Sequence, residues 1–529
     1  MKSSLSIFLL GFLLTGILFA QDEPKSNVEL PDFVITGKDQ ITFPPAKKMK
    51  PDVISALSEE FINPPYKAEE FSAGEISTPE TIVTFKKDSV AVYPGIFSIS
   101  FGNLTIPEMT GSYTLQMGRF TLSPSLSLKN IREYEPNNGK NIYSFDLSSS
   151  YTTGAESGIF SGLIVDADAG FFSHSRKLYT DDTSFKNRNL NLYSVSAGAR
   201  KMFSGGSGFS LSAEVASAAV KEFNAESAVT KLNLGGFISF SKVVIGADAE
   251  LGSVSINDLS QGDYRIGPSF AIVTPGKFSL RVSGGAVKAG ENNGIFIDGK
   301  GSFNLSEALS FGLTYKQGWQ RVDLMQNLAE IQFFVPDTSF SRYENHINHI
   351  RFETKYRFKH YFEASVFINS GKTEQVNYFL RDTSDGVFRA GFADASVMSI
   401  GADVKFHEGP MGFLYGHVNL SSVKDDTDKF LPYVSSISGS LFYGRKINSS
   451  FDFITGAEYH SAPYTDRANL NKADSFFDLN LTLRYYLSFL GQGSFLTLRA
   501  NNLLSADNSY WEGYPGRPAD IRLGFELQF

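Results

Sequence analysis

From about residue 95 to its end the chain alternates apolar and polar residues in segments of roughly 9 to 15, and this habit limits its fold more than any other feature. The last segment carries it most plainly. Ile521, Leu523, Phe525, Leu527 and Phe529 alternate with Arg522, Gly524, Glu526 and Gln528. A strand has a side-chain period of two, so the five apolar side chains share one face. Segment 476–488 repeats the pattern, with Leu479, Leu481 and Leu483 between Asp478, Asn480, Thr482 and Arg484, and 451–459 and 495–499 follow it. Strands of a soluble sandwich run to about 5–6 residues. A strand tilted across ~30 Å of hydrocarbon needs about 9–11. Lipid offers nothing to satisfy an unpaired edge, so such a sheet must close on itself. The expected fold is all-β: a transmembrane antiparallel β-barrel, apolar outside and polar towards the lumen.

Link lengths give an independent count. Short links fall near 153–158, 204–207, 241–243, 274–277, 305–307, 359–360, 407–410, 446–449 and 489–493. Longer ones fall between them, at 131–141, 175–188, 218–226, 254–263, 321–344, 373–395, 422–432, 462–475 and 505–519, with 289–292 a short exception. Barrels of bacterial outer membranes have short periplasmic turns, long extracellular loops and an even strand number. The alternation gives about 22 strands, within a range of 18–22 because 96–118 is weakly patterned.

The remaining sequence agrees. The chain has 48 Phe, 23 Tyr and 47 Gly in 529 residues, unusual for a soluble multidomain protein. Without Cys there is no disulfide scaffold, thiolate metal site or Cys nucleophile. A net charge of −8 gives no basic footprint for nucleic acid. Lys2, the apolar run Leu5 to Phe19 and Ala20 read as an export signal over 1–20. Residues 21–94 hold 9 of the 20 prolines, a density that prevents long helices and central strands. The expected division is a signal peptide at 1–20, a Pro-rich N-terminal periplasmic arm at 21–94 and the barrel at 95–529.

The C-terminal residues Ile521, Leu523, Phe525, Leu527 and Phe529 resemble the signal that outer-membrane proteins present to their barrel-assembly machinery. The stretch 496–529 as a whole resembles the end of TonB-dependent receptors. Asn502-Leu503 matches the motif closing their penultimate strand, and Tyr514-Pro515-Gly516-Arg517 matches the loop before the last strand. Asp32-Phe33-Val34-Ile35-Thr36-Gly37 is similar to the TonB box, which pairs with a periplasmic coupling protein by strand addition. The same six residues also read as a simple local strand. The family places a plug domain before its barrel that is longer than 21–94, so that segment reads as an arm or a reduced plug.

Candidate chemistry is sparse. Seven histidines occur, and His346 and His349, three apart on a strand, are expected on opposite faces. None lies in a motif with metal spacing, and no G-x-S-x-G elbow appears. Neither an enzyme nor a cofactor is expected. The tripeptide DTS recurs at 182–184, 337–339 and 382–384, and Asp425, Asp426 and Asp428 cluster, all in expected outer loops. These read as solvated loops or as carboxylates for cations that bridge lipopolysaccharide. Arg484, Asp478, Arg522 and Glu526 face the lumen, where they pair across strands, set ion preference or hold the arm. Tyr485, Tyr486, Trp319, Trp511 and Tyr514 read as an interfacial aromatic girdle. Trp511, Tyr514 and Arg517 are also candidates for ligand contact.

The resemblance implies passage of a small solute through an outer-membrane barrel gated by its arm, with a TonB-like partner. A passive porin-like channel and a structural or assembly protein with a periplasmic partner are the alternatives.

Overall fold

The computed structural model describes residues 93–529, apart from 136–137, 180–184, 360, 410 and 491–492. The expected signal, nearly all of the arm and the Asp32–Gly37 segment lie outside the described residues.

Twenty-two antiparallel strands close into a barrel. The first, Gly95–Gly102, pairs with Thr105–Tyr113, which resumes after a break as Leu115–Met117. Each strand then pairs with its successor. The last, Asp520–Gln528, pairs back on the first from Ile96 opposite Gln528 to Gly102 opposite Arg522. No edge is left open, as lipid requires. The weakly patterned 96–118 region thus supplies two strands, and the total meets the expected 22.

The alternation read in the sequence is the inside-out pattern of a membrane barrel. On the last strand Ile521 and Leu523 are exposed, while Arg522, Glu526 and Gln528 at the alternate positions are buried towards the lumen. No helix among the described residues is long and apolar enough to cross a membrane. Short turns gather at one end and long links at the other, here called the outer mouth.

Several outer links are shorter than expected, two of them clearly so. The 373–395 link is mostly strand: Phe362–Arg381 and Phe388–Gly409 run 20 and 22 residues and leave only 382–387 between them. The 254–263 link shrinks to Asn257-Asp258, with Asn257 left-handed at φ 53°. The cause is common to both. Strands longer than hydrocarbon requires leave the bilayer, so their outward positions no longer need to be apolar. Polar runs such as Lys372-Thr373-Glu374-Gln375 therefore look like loop while remaining paired.

The two histidines are not on opposite faces. The register slips between Ile347 and Ile350, with Asn348 left-handed at φ 52°. A bulge adds a residue and breaks the period of two, so the His346 and His349 rings stack with centroids 4.4 Å apart. Both Nε2 atoms are engaged: His346 with Glu344 at 2.7 Å, His349 with Thr373 Oγ1 at 2.7 Å. A neighbouring slip occurs at Gly318, φ 107°, where an added Cβ would lie 2.7 Å from the Ile295 carbonyl oxygen.

Candidate functional site: the lumen wall and the loop across the outer mouth

On the lumen face of the closing strands, charges fall opposite one another through strand register. Arg484 and Asp452 are direct partners on adjacent strands and form a two-point contact at 3.0 and 3.2 Å. Glu526 lies 3.7 Å from Arg484 and 3.5 Å from Arg499. Arg522 of the last strand reaches over the first strand to Glu108 on the second, tying the seam, and lies 3.6 Å from Asp520. Lys129 also binds Glu108, at 3.1 Å. Asp520 accepts the Thr105 hydroxyl at 2.6 Å. Asp478 instead accepts the Asn502 backbone N–H at 2.6 Å, fixing the start of the last outer loop. These charges are paired with one another, so this wall is locked rather than poised for a ligand.

The outer mouth is different in kind. The loop 322–342 opens with Asp323, whose carboxylate accepts the Gln326 N–H at 3.0 Å and caps the helix Leu324–Glu330. Leu324 and Leu328, four apart on one helix face, are fully buried. Beyond the helix the loop crosses the bore. Arg188, on the strand Phe185–Met202, donates from Nε to the Phe334 carbonyl at 3.0 Å and from Nη2 to the Leu328 carbonyl at 3.3 Å. Two residues of the same loop segment then join the strand Phe388–Gly409, ten strands further round. Phe388 N–H donates to the Phe333 carbonyl at 2.9 Å, and Val335 N–H to the Phe388 carbonyl at 3.2 Å. A segment anchored to strands so far apart in a closed barrel must pass through its interior.

Apolar packing seals the crossing. Phe333 lies against Tyr514 with centroids 3.6 Å apart and within 6.2 Å of Trp511. Trp511 stacks on Tyr433 at 4.8 Å and meets Phe388 edge-on at 4.9 Å. Strand ends from the other side complete the cluster, Leu178, Leu190, Val220 and Ile256 all being fully buried. Burying one such side chain contributes about 1.5–3 kcal/mol, so a cluster of this size holds the loop firmly. Burial pushes the Tyr433 phenol up, with Glu512 adding to the effect.

Two of the DTS tripeptides bind this loop to its neighbour. Asp337 Oδ1 accepts the Ser339 N–H at 2.9 Å, and Asp382 Oδ1 accepts the Ser384 N–H at 3.0 Å. Each aspartate thus closes a turn on its own backbone. Arg389 then joins Asp337 at 3.5 Å, Asp382 at 3.3 Å and Asp385 at 2.6 Å. The Ser384 hydroxyl, and Arg389 after it, hold the Asp382 carboxyl below its ordinary range. The repeat serves loop construction at both described positions.

The candidate contact residues lie in this assembly. Tyr514 is buried, its hydroxyl donating to the Gly386 carbonyl, and Trp511 packs inward beside it. Neither belongs to an interfacial girdle, as their place near a strand end had suggested; the last loop folds over the bore and takes them with it. Tyr485, by contrast, is half exposed on the outer face at the turn end, where a girdle residue belongs. Arg517 pairs with Asp520 at 3.4 Å. The insertion-signal residues Ile521, Leu523 and Phe529 are exposed on the outer face. Sequence reasoning did not find the bore-crossing role of 324–335. The available signal was the apolar content of the 321–344 link, with Leu324, Met325, Leu328 and the run Ile331 to Val335 broken only by Gln332.

This closed 22-strand barrel, its lumen crossed at the outer mouth, has the fold of the TonB-dependent receptor barrels. The FrpB iron transporter from Neisseria meningitidis superposes with a TM-score of 0.61 at 11% identity, over 82% of this chain and 81% of that one. The copper transporter OprC gives 0.59 at 11%, over 83% and 80%. The siderophore receptor PiuA from Acinetobacter baumannii gives 0.60 at 9%, over 83% of each chain. At such identities the likeness is one of fold. No family model matches the sequence, and no curated protein matches it.

Proposed function

We propose that the chain carries a small solute across a bacterial outer membrane through a lumen that is closed at rest. The observation that carries this reading is the loop 322–342, fastened to opposite walls of the barrel by Arg188 and Phe388. A barrel of 22 strands is wide enough to leak unless filled. A loop buried across the bore narrows the lumen, which fits a gated passage better than a freely open one. The structural neighbours support the reading, being described as iron, copper and siderophore transporters or receptors.

The arm 21–94 supplies the second gate in this account, entering the barrel from the periplasm. Asp32 to Gly37 pairs as an added strand with a TonB-like protein, and the terminal strand from Ile521 to Phe529 addresses the assembly machinery. The outer loops face lipopolysaccharide. Trp511, Tyr514 and Arg517 are reached by the solute once the loop moves.

Planar-bilayer conductance of the mature chain is the test. The account expects a closed protein; a large, steady conductance would make it a diffusion channel. Because the chain has no Cys, an Ile35→Cys variant tests the partner cleanly by disulfide trapping to a TonB-like protein carrying one Cys. Trapping is expected, and its absence would remove the energy-coupled step.

A further inference from the structure

Three cations stand side by side under the loop that crosses the mouth. Lys140 is directly opposite Arg176, and Arg176 directly opposite Arg188, on three adjacent strands. Directly opposed residues share a face with Cβ atoms about 4.5–5.5 Å apart, and like charges placed so are destabilising. His174, two residues before Arg176, lies beside Arg188, 3.5 Å from its Nη1. Arg188 is fully buried and His174 nearly so.

The loop meets this row with neutral oxygens. Gln332 Oε1 accepts from Lys140 Nζ at 3.1 Å and from Arg176 Nη1 at 3.0 Å. The Leu328 and Phe334 carbonyls accept from Arg188. Among the described residues, neither Lys140 nor Arg188 has a carboxylate within ion-pair reach. The nearby Glu222 is taken up by Asn189, whose backbone N–H donates to it at 3.1 Å. Arg517 adds its charge to the surroundings of Lys140 while bound to Asp520. The Nε2 atom of His174 is buried without a hydrogen-bond partner. Elsewhere in this barrel, buried arginines such as Arg484 and Arg522 have their carboxylates. Here Lys140 and Arg188 are desolvated beside Arg176, whose guanidinium lies 4.0 Å from the Phe333 ring centroid, and are met by neutral acceptors alone, which is costly unless a stronger acceptor completes the site.

We propose that Lys140, Arg176, Arg188 and His174 form the binding site for an oxyanion group, carboxylate or phosphate, of the transported solute. The side-chain oxygen of Gln332 and the two loop carbonyls occupy the positions of the anion's oxygens while it is absent. Guanidinium groups bind such planar or tetrahedral oxyanions through paired N–H donors, with bonds roughly twice as strong as those to neutral acceptors. An arriving anion therefore displaces the loop oxygens and frees the segment 328–334 from the wall. Recognition and opening are one event. This assignment rests on the transport reading and gives it a substrate class: the solute is anionic.

The test uses the full mature chain in micelles free of lipopolysaccharide. With Trp319→Phe, Trp511 is the sole tryptophan, and its packing near Phe333 makes its emission a reporter of the loop. Citrate and tripolyphosphate are titrated at constant ionic strength, with sucrose as the neutral control. A saturable change with the two oxyanions and none with sucrose is expected. Lys140→Gln should weaken it by roughly tenfold or more. Gln332→Glu places a carboxylate where the oxyanion would sit. It should abolish the response by the same measure while leaving the starting emission unchanged, which guards against a loop that has simply unfolded. No saturable response, equal affinities in parent and both variants, or a response to added lipopolysaccharide alone would each overturn the assignment. Absence of binding by the parent barrel, in a protein that still proves closed by conductance, would overturn this assignment and leave the transport reading in place.

Discussion

Arg188 and Phe334 are 146 residues apart in sequence and on different elements, yet the Arg188 Nε donates to the Phe334 carbonyl at 3.0 Å with both residues fully buried. This contact fixes the crossing loop to one wall, and the neighbouring backbone bonds to Phe388 fix it to the other. Replacing Arg188 by Met removes bonds from a charged donor to two carbonyls. The segment 328–335 should lose about 1.5–3 kcal/mol of local stability, read as faster amide exchange there, with the barrel's own melting unchanged.

Phe333 and Tyr514 form the closest aromatic contact in the cluster, at 3.6 Å between centroids. Phe333→Ala should loosen the loop by about 3–5 kcal/mol. A double-mutant cycle with Tyr514→Leu should return a coupling of about 0.5–1.5 kcal/mol, measured by exchange protection of the loop. A coupling near zero would mean that the two rings do not pack in the membrane-embedded protein.

The seam depends on Arg522 of the last strand reaching over the first to Glu108 on the second. Arg522→Leu leaves Glu108 with Lys129, and leaves Asp520 with Arg517 and Thr105. Breaking one partner of a buried pair costs about 3–5 kcal/mol. The variant should unfold at visibly lower temperature in a heat-modifiability gel, and Arg522→Lys should recover part of the loss.

Asp382 provides a pH dependence at the outer surface. Its carboxyl is held below the ordinary value by Ser384 and Arg389. A depressed folded-state pKa stabilises above the unfolded value of about 3.9 and is lost as pH falls through the folded one. The contact between loops 382–387 and 322–342 should therefore persist from neutral pH down to about 4 and fail only below it. Limited proteolysis with pepsin at successive acid pH values would report this, and Asp382→Asn should abolish the transition.

Much of this architecture is legible in the sequence, and what is not has a physical cause. The terminal strand from Ile521 to Phe529 declares both faces because one touches lipid and the other a charged lumen. The turn at 275–277 and the 22-strand total follow from that two-faced demand. The upper strands around Lys372 and Asp394 carry no such demand, since neither face meets lipid, and they read as loop. The stacked His346 and His349 escaped because a bulge overrides the period of two. The oxyanion row was hidden for another reason. Lys140, Arg176 and Arg188 are far apart in sequence and become neighbours only through strand register. Arg484 and Asp452 are brought together the same way: the sequence marks Arg484 for pairing across strands, but only strand register supplies Asp452 as its partner.

The most direct measurement is bilayer conductance of the chain lacking residues 21–90, with the loop intact and with residues 324–335 replaced by a short Gly/Ser link. Little steady conductance is expected while the loop is intact, and a large one when both barriers are gone. A large, steady conductance from removal of the arm alone would contradict this, because the loop held between Arg188 and Phe388 would then not close the lumen.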